Sequence, residues 1–460
     1  MLNSASWVVL GALFCGVFVF QRSSPLGGRE PQDAILSLKS YSGTMTLHPN
    51  VLFETHNLTE VHQAVAFAVE RKKKLKVVGS LWSWQPSIGD AEVLVKLAGN
   101  LSSPDLIVVE DEWVHAPAGV RVSALYERLD STHEVAAIGG CYDHDTAQTL
   151  GGLVATNTHH SGQSTMCDVL NSVTIVQFNR TIVAKRDDPL FHKTVGGAGF
   201  TGVITHVNVS TAPRLSWTKA DLKHGLRIGI SLVDEATSLI NYFKDQPPNT
   251  RYAAYAQVPV AGSLVVTGRY ESAVVESDSQ PAKGFHKRHG DLSLVSRWVQ
   301  FLVQRILDTW EAHIISILAL EWFAAEESLQ YWSDTQHSTE RLGMAHITKL
   351  KHMEAEWFLP VDKALQILQY VQDTITEGDD FPKLRTQTLY SLRFQHRVMC
   401  DASPSFGTDV VCLNFDSYLP TTWAKWRSEV LKLEGMVLDR FPDVRIHKGK
   451  FGRKIPVWNP

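Results

Sequence analysis

The chain has 460 residues, enough to bury a sizeable core and to form two or three domains. Its apolar fraction is 44% and its charged fraction 20%, which excludes a disordered chain or a coiled coil. The net charge is −4, and the lack of a basic excess argues against a nucleic-acid partner.

An apolar run opens the chain. Trp7 to Phe20 is uninterrupted by charge, and counted from Ala5 the run reaches about 16 residues, just short of the ~20 that span a bilayer. It is longer than a typical signal-peptide core, and no Lys or Arg precedes it. We expect residues 1–30 to be a signal anchor or a cleavable signal, which implies membrane attachment through residues 5–20 or entry into the secretory pathway.

Residues 31–213 alternate between helical and strand patterns. Asn57 followed by Glu60 is a capping box, and it predicts a helix that ends at the basic run Arg71–Lys74, where cations suit the helix dipole. Short β-rich runs and a further helical pattern follow. They predict strands over Leu75–Val78, Val93–Leu97 and Leu106–Val109, and a helix over Val122–Leu129.

The pattern changes over residues 214–250, where a second region begins. Strand-like runs at Tyr252–Val260 and Ser263–Thr267 precede a long apolar segment, Leu292–Trp322. Charged residues interrupt that segment, so we interpret it as a buried or interface helix, with a membrane-surface helix as the alternative. Amphipathic helices are predicted over Asp362–Thr374 and Trp423–Leu438.

Five cysteines are present, and Cys15 lies in the apolar run. Cys400 and Cys412 bracket a turn-rich stretch and are the preferred pair if disulfides form; the alternative is that all the thiols are free. No Cys or His spacing indicates a metal site. Four sequons permit glycosylation in the secretory pathway, and they begin at Asn57, Asn100, Asn179 and Asn208.

Three stretches rich in small or hydroxyl side chains carry the functional signal. In the first, Val77–Gln85, a strand runs into Gly79 and Ser80. Backbone N–H groups in such a turn form a nest for an anion such as a phosphate, and small residues let a ligand approach closely. Many strands end in Gly-Ser, so this stretch alone is a weak indication.

The second stretch, Gln148–Gly162, contains adjacent glycines, four hydroxyl side chains and two histidines. Many neutral donors without charge suit a diphosphate and a polar ring. The alternative is a surface loop, although Leu150, Leu153 and Val154 provide apolar anchors. The paired histidines have no third ligand at a spacing that would favour a metal.

The third stretch, Gly196–Thr205, leads from glycines into an apolar β-run. It is not the Rossmann dinucleotide fingerprint, because no opening strand precedes it and no acidic residue follows about twenty positions later.

In this order, the three stretches resemble the FAD-binding domain of the vanillyl-alcohol-oxidase type, also called the PCMH-type domain. They are similar in turn to its Gly-Ser-Gly-His-Ser turn, its Gln-Thr-x-x-Gly…Thr-Gly-Thr-His-Gly-x-Gly segment and its Gly-x-x-Gly-x-Ile-Thr strand entry. Glu356–Pro360 resembles a motif of the aldonolactone and alditol oxidase branch, and Ile446–Lys450 resembles its His-Trp-Gly-Lys signature. After residue 30 the chain is thus similar to the FAD-linked aldonolactone oxidase family, which includes gulonolactone and arabinonolactone oxidases.

The resemblance implies an α+β fold. A two-subdomain FAD-binding domain would cover residues 31–213 and a mixed α/β substrate (cap) domain residues 214–434, with residues 435–460 returning to the FAD-binding domain. It also implies an FAD-dependent oxidoreductase that oxidises a hydroxyl-bearing carbon of a sugar lactone by hydride transfer to flavin. The partners would be a small-molecule substrate and, as acceptor, O₂ or an electron carrier.

By resemblance, FAD is bound through the three stretches, and His159 shapes the flavin loop rather than acting as a base. The implied cofactor residues are Gly79, Ser80, Leu81, Trp82, Ser83, Gln148, Thr149, Gly151, Gly152, Thr156, His159, Ser161, Gly162, Gly199, Gly202, Val203 and Ile204. The implied catalytic residues are Arg393, Lys450, Ser391 and His447. Lys450 and Arg393 would oppose negative charge on the flavin and the substrate oxygen; the alternatives are a solvated lysine and a structural ion pair.

Two departures from the family pattern stand out. Trp82 occupies the position where many members carry a histidine linked to the flavin, so we expect non-covalent FAD. Ser391 replaces the Glu of a Glu-x-Arg pair whose Arg is kept as Arg393, and the two side chains should share one face of a strand.

Two other functions stay open. The first is a flavoenzyme of the same fold that acts on an apolar secondary metabolite or lipid, favoured by Trp82, Trp84, Ser391 and the Leu292–Trp322 segment. The second is a membrane-tethered binding protein without activity. A product screen separates the first from a lactone oxidase, and absence of bound flavin would support the second.

Overall fold

In the computed structural model, the described residues fall into several segments. They are residues 37–40, 43, 45–110, 112–128, 133–135, 148–159, 165–213, 219–226, 231–244, 256–259, 266–273, 352–417 and 422–455. Within them the strands form sheets of two, three, six and seven strands, and the predicted α+β fold is confirmed.

The described residues begin with a two-stranded antiparallel ladder of β1 (Leu38–Lys39) and β2 (Thr46–Leu47). A small parallel sheet follows, with the strand order β3-β5-β4 and a helix that joins β3 to β4. The elements are β3 (Val51–Thr55), α1 (Leu58–Glu70), β4 (Leu75–Val78) and β5 (Val93–Leu97). The Asn57 side chain accepts the Glu60 N–H at 3.0 Å, and the Glu60 carboxylate accepts the His56 N–H at 2.7 Å. The predicted N-terminal cap of α1 is therefore confirmed.

A six-stranded antiparallel sheet comes next, with the order β10-β9-β11-β7-β6 and β8 paired to β11. Its strands are β6 (Val108–Val109), β7 (Trp113–Pro117), β8 (His133–Val135), β9 (Leu170–Gln177), β10 (Arg180–Lys185) and β11 (Val203–Pro213). The helices between them are α2 (Val122–Arg128), α3 (Leu150–Thr156), α4 (Met166–Val169) and α5 (Pro189–Thr194). Apolar residues of α3, β9 and β11 pack into one core cluster.

The seven-stranded sheet has the order β12-β14-β13-β16-β17-β15-β18. Its strands are β12 (Lys219–Leu226), β13 (Ala256–Pro259), β14 (Val266–Ala273), β15 (Met353–Pro360), β16 (Leu389–Gln395), β17 (Val410–Ser417) and β18 (Arg445–Ile446). The remaining helices are α6 (Leu232–Lys244), α7 (Val361–Glu377), α8 (Pro382–Gln387) and α9 (Trp423–Arg440). Alternate residues of β15, β16 and β17 pack against α6, α7 and α9 in the largest core cluster.

Most predicted elements are present with shifted ends. The Leu106–Val109 run is divided between a 3₁₀ turn, Pro104–Leu106, and the short strand β6. Pro104 takes the first position of that turn, where its fixed φ and missing N–H are tolerated. The predicted domain boundaries stay predictions.

The predicted cysteine pairing is wrong. Cys167 is bonded to Cys400, 233 residues away, and Cys412 is a buried free thiol. The loop after β16 inserts Val398 and Cys400 into the core of the six-stranded sheet, while Cys412 stays within β17. The spacing of cysteines along the chain could not indicate this pair, because the two residues are far apart in sequence and meet only in the folded chain.

Several predictions fall outside the described residues. They include the N-terminal run with Cys15, Cys141 and the Leu292–Trp322 segment. Among the residues that are described, no helix has the length and apolar character needed to cross a membrane.

Candidate active site

One cavity, of about 500 Å³, is lined by the three Gly-rich stretches, by Arg393 on β16 and by the C-terminal tail, defined here as residues 445–455. Its volume lies in the usual range for cofactor and substrate sites. The predicted cofactor residues in its wall are Gly79, Ser80, Leu81, Trp82, Ser83, Gln148, Thr149, Gly151, Gly152, Thr156, His159, Gly199, Gly202 and Ile204. The predicted catalytic residues in its wall are Arg393, His447 and Lys450.

Glycines let the first two stretches come close enough to share this wall. A Cβ on Gly79 would lie 2.3 Å from Oγ1 of Thr149, and one on Gly151 would lie 3.1 Å from the Ala118 Cβ. Thr149 is also the N-cap of α3, since its Oγ1 accepts the Gly152 N–H at 3.4 Å. The second stretch thus begins a helix.

The first stretch turns sharply and is tied to the C-terminal tail. Leu81 has φ 59°, a left-handed conformation that costs a non-glycine residue about 1–3 kcal/mol. The Ser83 hydroxyl and the Trp84 N–H both donate to the Gly449 carbonyl, at 2.8 and 3.1 Å. These bonds hold the strained turn in place at the cavity wall.

The third stretch closes the wall beside Lys76, which is half-buried. Gly202 has φ +134°, and a Cβ there would lie 2.6 Å from the Val176 carbonyl oxygen. The Lys76 Nζ donates to the Ala198 carbonyl at 2.6 Å. Burial lowers the pKa of Lys76 to about 8, so a fraction of this cation is neutral near physiological pH.

The other end of the cavity meets a polar face of the seven-stranded sheet. Cross-strand pairing puts Glu356, Asn414 and Ser391 in one row, and Glu354 pairs with Asp416 in the next. All five side chains are buried. The intervening residues of the same strands face the apolar core, so strand alternation alone collects these groups on one side.

Ion pairs join this polar face to the tail. The Arg393 Nη2 lies 3.4 Å from Glu354 Oε1 and 3.3 Å from Glu356 Oε1. Lys450 forms a close ion pair with Glu354, and Asn414 donates to Glu354 at 2.7 Å. Arg393 and Ser391 do share a strand face as predicted, but the carboxylates that Arg393 contacts come from β15.

These groups hold different charges. Burial alone would raise the pKa of Glu356, but Arg393 and His159 offset it and hold that pKa well below its usual range. Glu354 has a lowered pKa because Lys450 and Arg393 outweigh its burial. Burial and the neighbouring Glu354 raise the pKa of Asp416 well above its usual value. Asp416 therefore holds its proton to a higher pH than the two glutamates beside it.

Two histidines flank Glu356. Its Oε2 lies 3.3 Å from the His159 Nε2 and 3.8 Å from the His447 Nε2. Burial lowers the pKa of His447 to about 3, so its ring is neutral. Its Nδ1 accepts the Gly449 N–H at 2.9 Å, which leaves the proton on Nε2. The three groups lie close enough for a metal, but this tautomer leaves His447 no lone pair to give one.

The shape of the cavity and the hydrogen-bond donors in its wall fit FAD. Glycines whose Cβ atoms would collide with the opposite wall leave room for backbone groups to approach a diphosphate. The donors in the first two stretches are mainly neutral, with Lys76 as a cation. Residues 49–184 match the sequence family described as an FAD binding domain. This chain is an FAD-binding flavoprotein.

Curated relatives of the flavoprotein are named L-gulonolactone oxidase. That of Scyliorhinus torazame is 22% identical over 393 residues, which cover 83% of this chain and 82% of the relative. That of Bos taurus is 23% identical over 217 residues, and the match covers 45% of this chain and about half, 48%, of the relative. With the FAD binding domain, these matches make the chain an FAD-dependent oxidoreductase.

Solved structures show the same fold. A solvent-stable cholesterol oxidase superposes with a TM-score of 0.60 at 14% identity, covering 90% of this chain and 86% of that chain. Cholesterol oxidase from B. sterolicum gives 0.57 at 14% identity, covering 89% and 85%. These likenesses confirm the predicted fold of the flavoprotein.

Some predicted site residues do not line the cavity. Val203 packs into a core cluster with Val95 and Val176, because alternation in β11 turns its side chain away from the opening. Ser391 lies on the polar face with Arg393, but it is fully buried there and does not reach the cavity wall. Ser161 and Gly162 lie outside the described residues.

Sequence reasoning missed other wall residues of the flavoprotein, chiefly Lys76, Gly119 and Glu356. In the run Met353–Trp357, two glutamates alternate with apolar residues. This alternation was a usable signal, since it predicts carboxylates on the face opposite a strand's core side. No pattern in the sequence indicated that Lys76 would line the cavity.

Proposed function

We propose that the flavoprotein oxidises a hydroxyl-bearing carbon of a sugar lactone, with bound FAD as the hydride acceptor. The observation that supports this most directly is the charged group of Arg393, Glu354 and Lys450, which adjoins the FAD cavity. A polyhydroxylated substrate offers donors and acceptors to such a group, whereas an apolar one would remove water from these charges and offer no hydrogen bond in return.

Each of these residues has a distinct task in the proposal. Arg393 and Lys450 bind substrate oxygens and oppose the negative charge that grows on the reacting oxygen. Glu354 contacts both cations and fixes their positions. The carboxylate that the sequence lacks at Ser391 is supplied by Glu354 and Glu356 on β15. Bound FAD supplies the oxidising chemistry.

The substrate class is tested by anaerobic mixing of the purified flavoprotein with aldono-1,4-lactones, polyols and apolar secondary alcohols. Bleaching of the oxidised flavin band by lactones supports the proposal. Bleaching by the apolar alcohols alone would instead support the secondary-metabolite or lipid alternative. Repeating the active reaction with O₂ or with an electron-accepting dye identifies the acceptor.

We further propose that FAD is held non-covalently, because an indole at Trp82 cannot form the histidyl link. Acid precipitation of the protein should release all flavin into the supernatant. Flavin that remains in the pellet would show that another residue carries the link.

We also propose that residues 1–30 direct the chain to the secretory pathway. The Cys167–Cys400 disulfide supports this, since such bonds persist in oxidising compartments. Among the sequons, Asn179 occupies the exposed turn between β9 and β10. Protein expressed in a eukaryotic host should lose mass on glycosidase treatment. If the treatment changed the mass of neither the wild type nor the Asn179→Gln variant, the proposal would be contradicted.

A further inference from the structure

The indole of Trp84 is fixed where the FAD cavity meets the core. Trp84 is 7% exposed, and it belongs to the largest core cluster while also contributing to the cavity wall. Its Nε1–H donates to the His352 carbonyl at 3.0 Å, and the two rings are tilted against each other with centroids 5.1 Å apart. Its backbone N–H donates to the Gly449 carbonyl. These contacts give the ring one orientation.

The same ring lies beside Lys450 of the C-terminal tail. The Lys450 Nζ is placed over the indole, 4.9 Å from the ring centroid. An ammonium within about 6 Å of an aromatic centroid is attracted by the negative face of the ring, and tryptophan attracts it most strongly. The Lys450 side chain is only 19% exposed, so water weakens this attraction less than it would at an open surface.

The ion pair with Glu354 does not fix Lys450 by itself. A lysine ammonium is a point charge on a flexible four-carbon stem. Glu354 is also shared, since it pairs with Arg393 and accepts from Asn414. The indole adds a second attraction that comes from an uncharged group. It therefore gives the ammonium a direction without neutralising its charge, which a second carboxylate would do.

We propose that Trp84 is a positioning residue, whose indole face holds the Lys450 ammonium at the wall of the FAD cavity. This inference rests on the proposed function, in which Lys450 opposes the negative charge that grows on the reacting oxygen. Trp84 belongs to the first Gly-rich stretch, so a segment that binds FAD also sets the position of this cation. The sequence favoured an apolar substrate partly because of Trp84, but the face of its ring is occupied by Lys450.

The first test compares Trp84→Leu, which removes the aromatic face, with Trp84→Phe, which keeps one. The matched control is Trp113→Leu, at a half-buried tryptophan on β7 outside the cavity wall. Anaerobic flavin reduction at saturating lactone should slow by about 3- to 30-fold in Trp84→Leu, by less in Trp84→Phe, and not in the control. The half-saturating lactone concentration should change little, because the charge that Lys450 opposes grows in the transition state.

A double-variant cycle separates this role from a merely structural one. Lys450→Met removes the cation, so adding Trp84→Leu to that variant should slow flavin reduction no further. All variants are compared at matched flavin content. Equal slowing by Trp84→Leu with and without Lys450 overturns the inference, as does a Trp84→Leu variant that is as fast as wild type.

A second readout needs no turnover. In the flavin-loaded wild type with ¹³C-labelled lysine, the NMR signals absent from Lys450→Met belong to Lys450. The ring current of the indole should shift its ε-methylene protons upfield of those of the other lysines. Unshifted protons overturn the inference even if Trp84→Leu does not fold. A wild type that no lactone reduces contradicts the proposed function, whereas equal slowing in the cycle contradicts only the role of Trp84.

Discussion

At the scale of single residues, the FAD cavity depends on glycines that bring separate segments into contact. Gly79 directly follows strand β4, and Thr149 is the N-cap of helix α3. The Thr149 Oγ1, Cγ2 and Cβ would all lie within 3.3 Å of a Cβ on Gly79. Turning the Thr149 side chain would replace one collision with another, so only the absence of a side chain permits this approach.

We expect Gly79→Ala to weaken FAD binding. Overpacking of this kind costs about 1–3 kcal/mol, which corresponds to a rise of about 5- to 150-fold in the dissociation constant. Fluorescence titration of the flavin-stripped full-length chain measures it. The matched control is Gly89→Ala, because a Cβ on Gly89 would meet nothing within 4 Å. Equal FAD affinity in the two variants would contradict this account of the cradle.

At the scale of elements, strand β15 gives the seven-stranded sheet its two different faces. Met353, Ala355 and Trp357 pack into the core cluster, while Glu354 and Glu356 lie on the opposite face with the residues of β16 and β17. The buried acids on this face differ in the direction of their pKa shifts. Lys450 and Arg393 outweigh burial and lower the pKa of Glu354, whereas burial and Glu354 raise the pKa of Asp416.

This difference predicts unequal effects of two similar substitutions. Glu354→Gln removes the charge that Lys450 and Arg393 require, and it should lower the free energy of unfolding at pH 7 by about 3–5 kcal/mol. Asp416→Asn replaces the carboxyl whose pKa is raised with a neutral group of the same shape, and it should change that free energy by less than about 1 kcal/mol.

Urea unfolding of the flavin-loaded variants measures both effects, and each variant is the control for the other. Equal losses would show that Asp416 is ionised as well, which would contradict the charge assignment on this face of the sheet.

At the scale of the whole molecule, the loop after β16 fastens the strand that carries Arg393 to the six-stranded sheet. Its Cys400 is bonded to Cys167, and its Ser403 accepts the Asn157 side-chain amide at 2.8 Å. Lys448 of the tail donates to the carbonyls of Gly196 and Ala402, at 2.9 and 2.7 Å. The polar face and the FAD cavity are thereby held together by contacts distant in sequence.

We expect Cys167→Ser to lower the free energy of unfolding by about 2–5 kcal/mol, because the bond closes a very long loop in the unfolded chain. Chemical unfolding at matched flavin content measures the loss. The double variant with Cys400→Ser should lose no more than the single variant, since one bond is removed in either case. A second loss of similar size would show that the thiols, rather than the bond, stabilise this contact.

The amino-acid sequence was enough to predict the FAD-binding character, the fold class and most elements. Local patterns such as the Asn57 cap and the glycines of the three stretches depend on neighbouring residues alone. The Cys167–Cys400 pairing, the carboxylates beside Arg393 and the contact of His159 with Glu356 became visible in the folded chain. Strand register and loop insertion create those contacts between residues far apart in the chain, and no local pattern records which distant residues will meet.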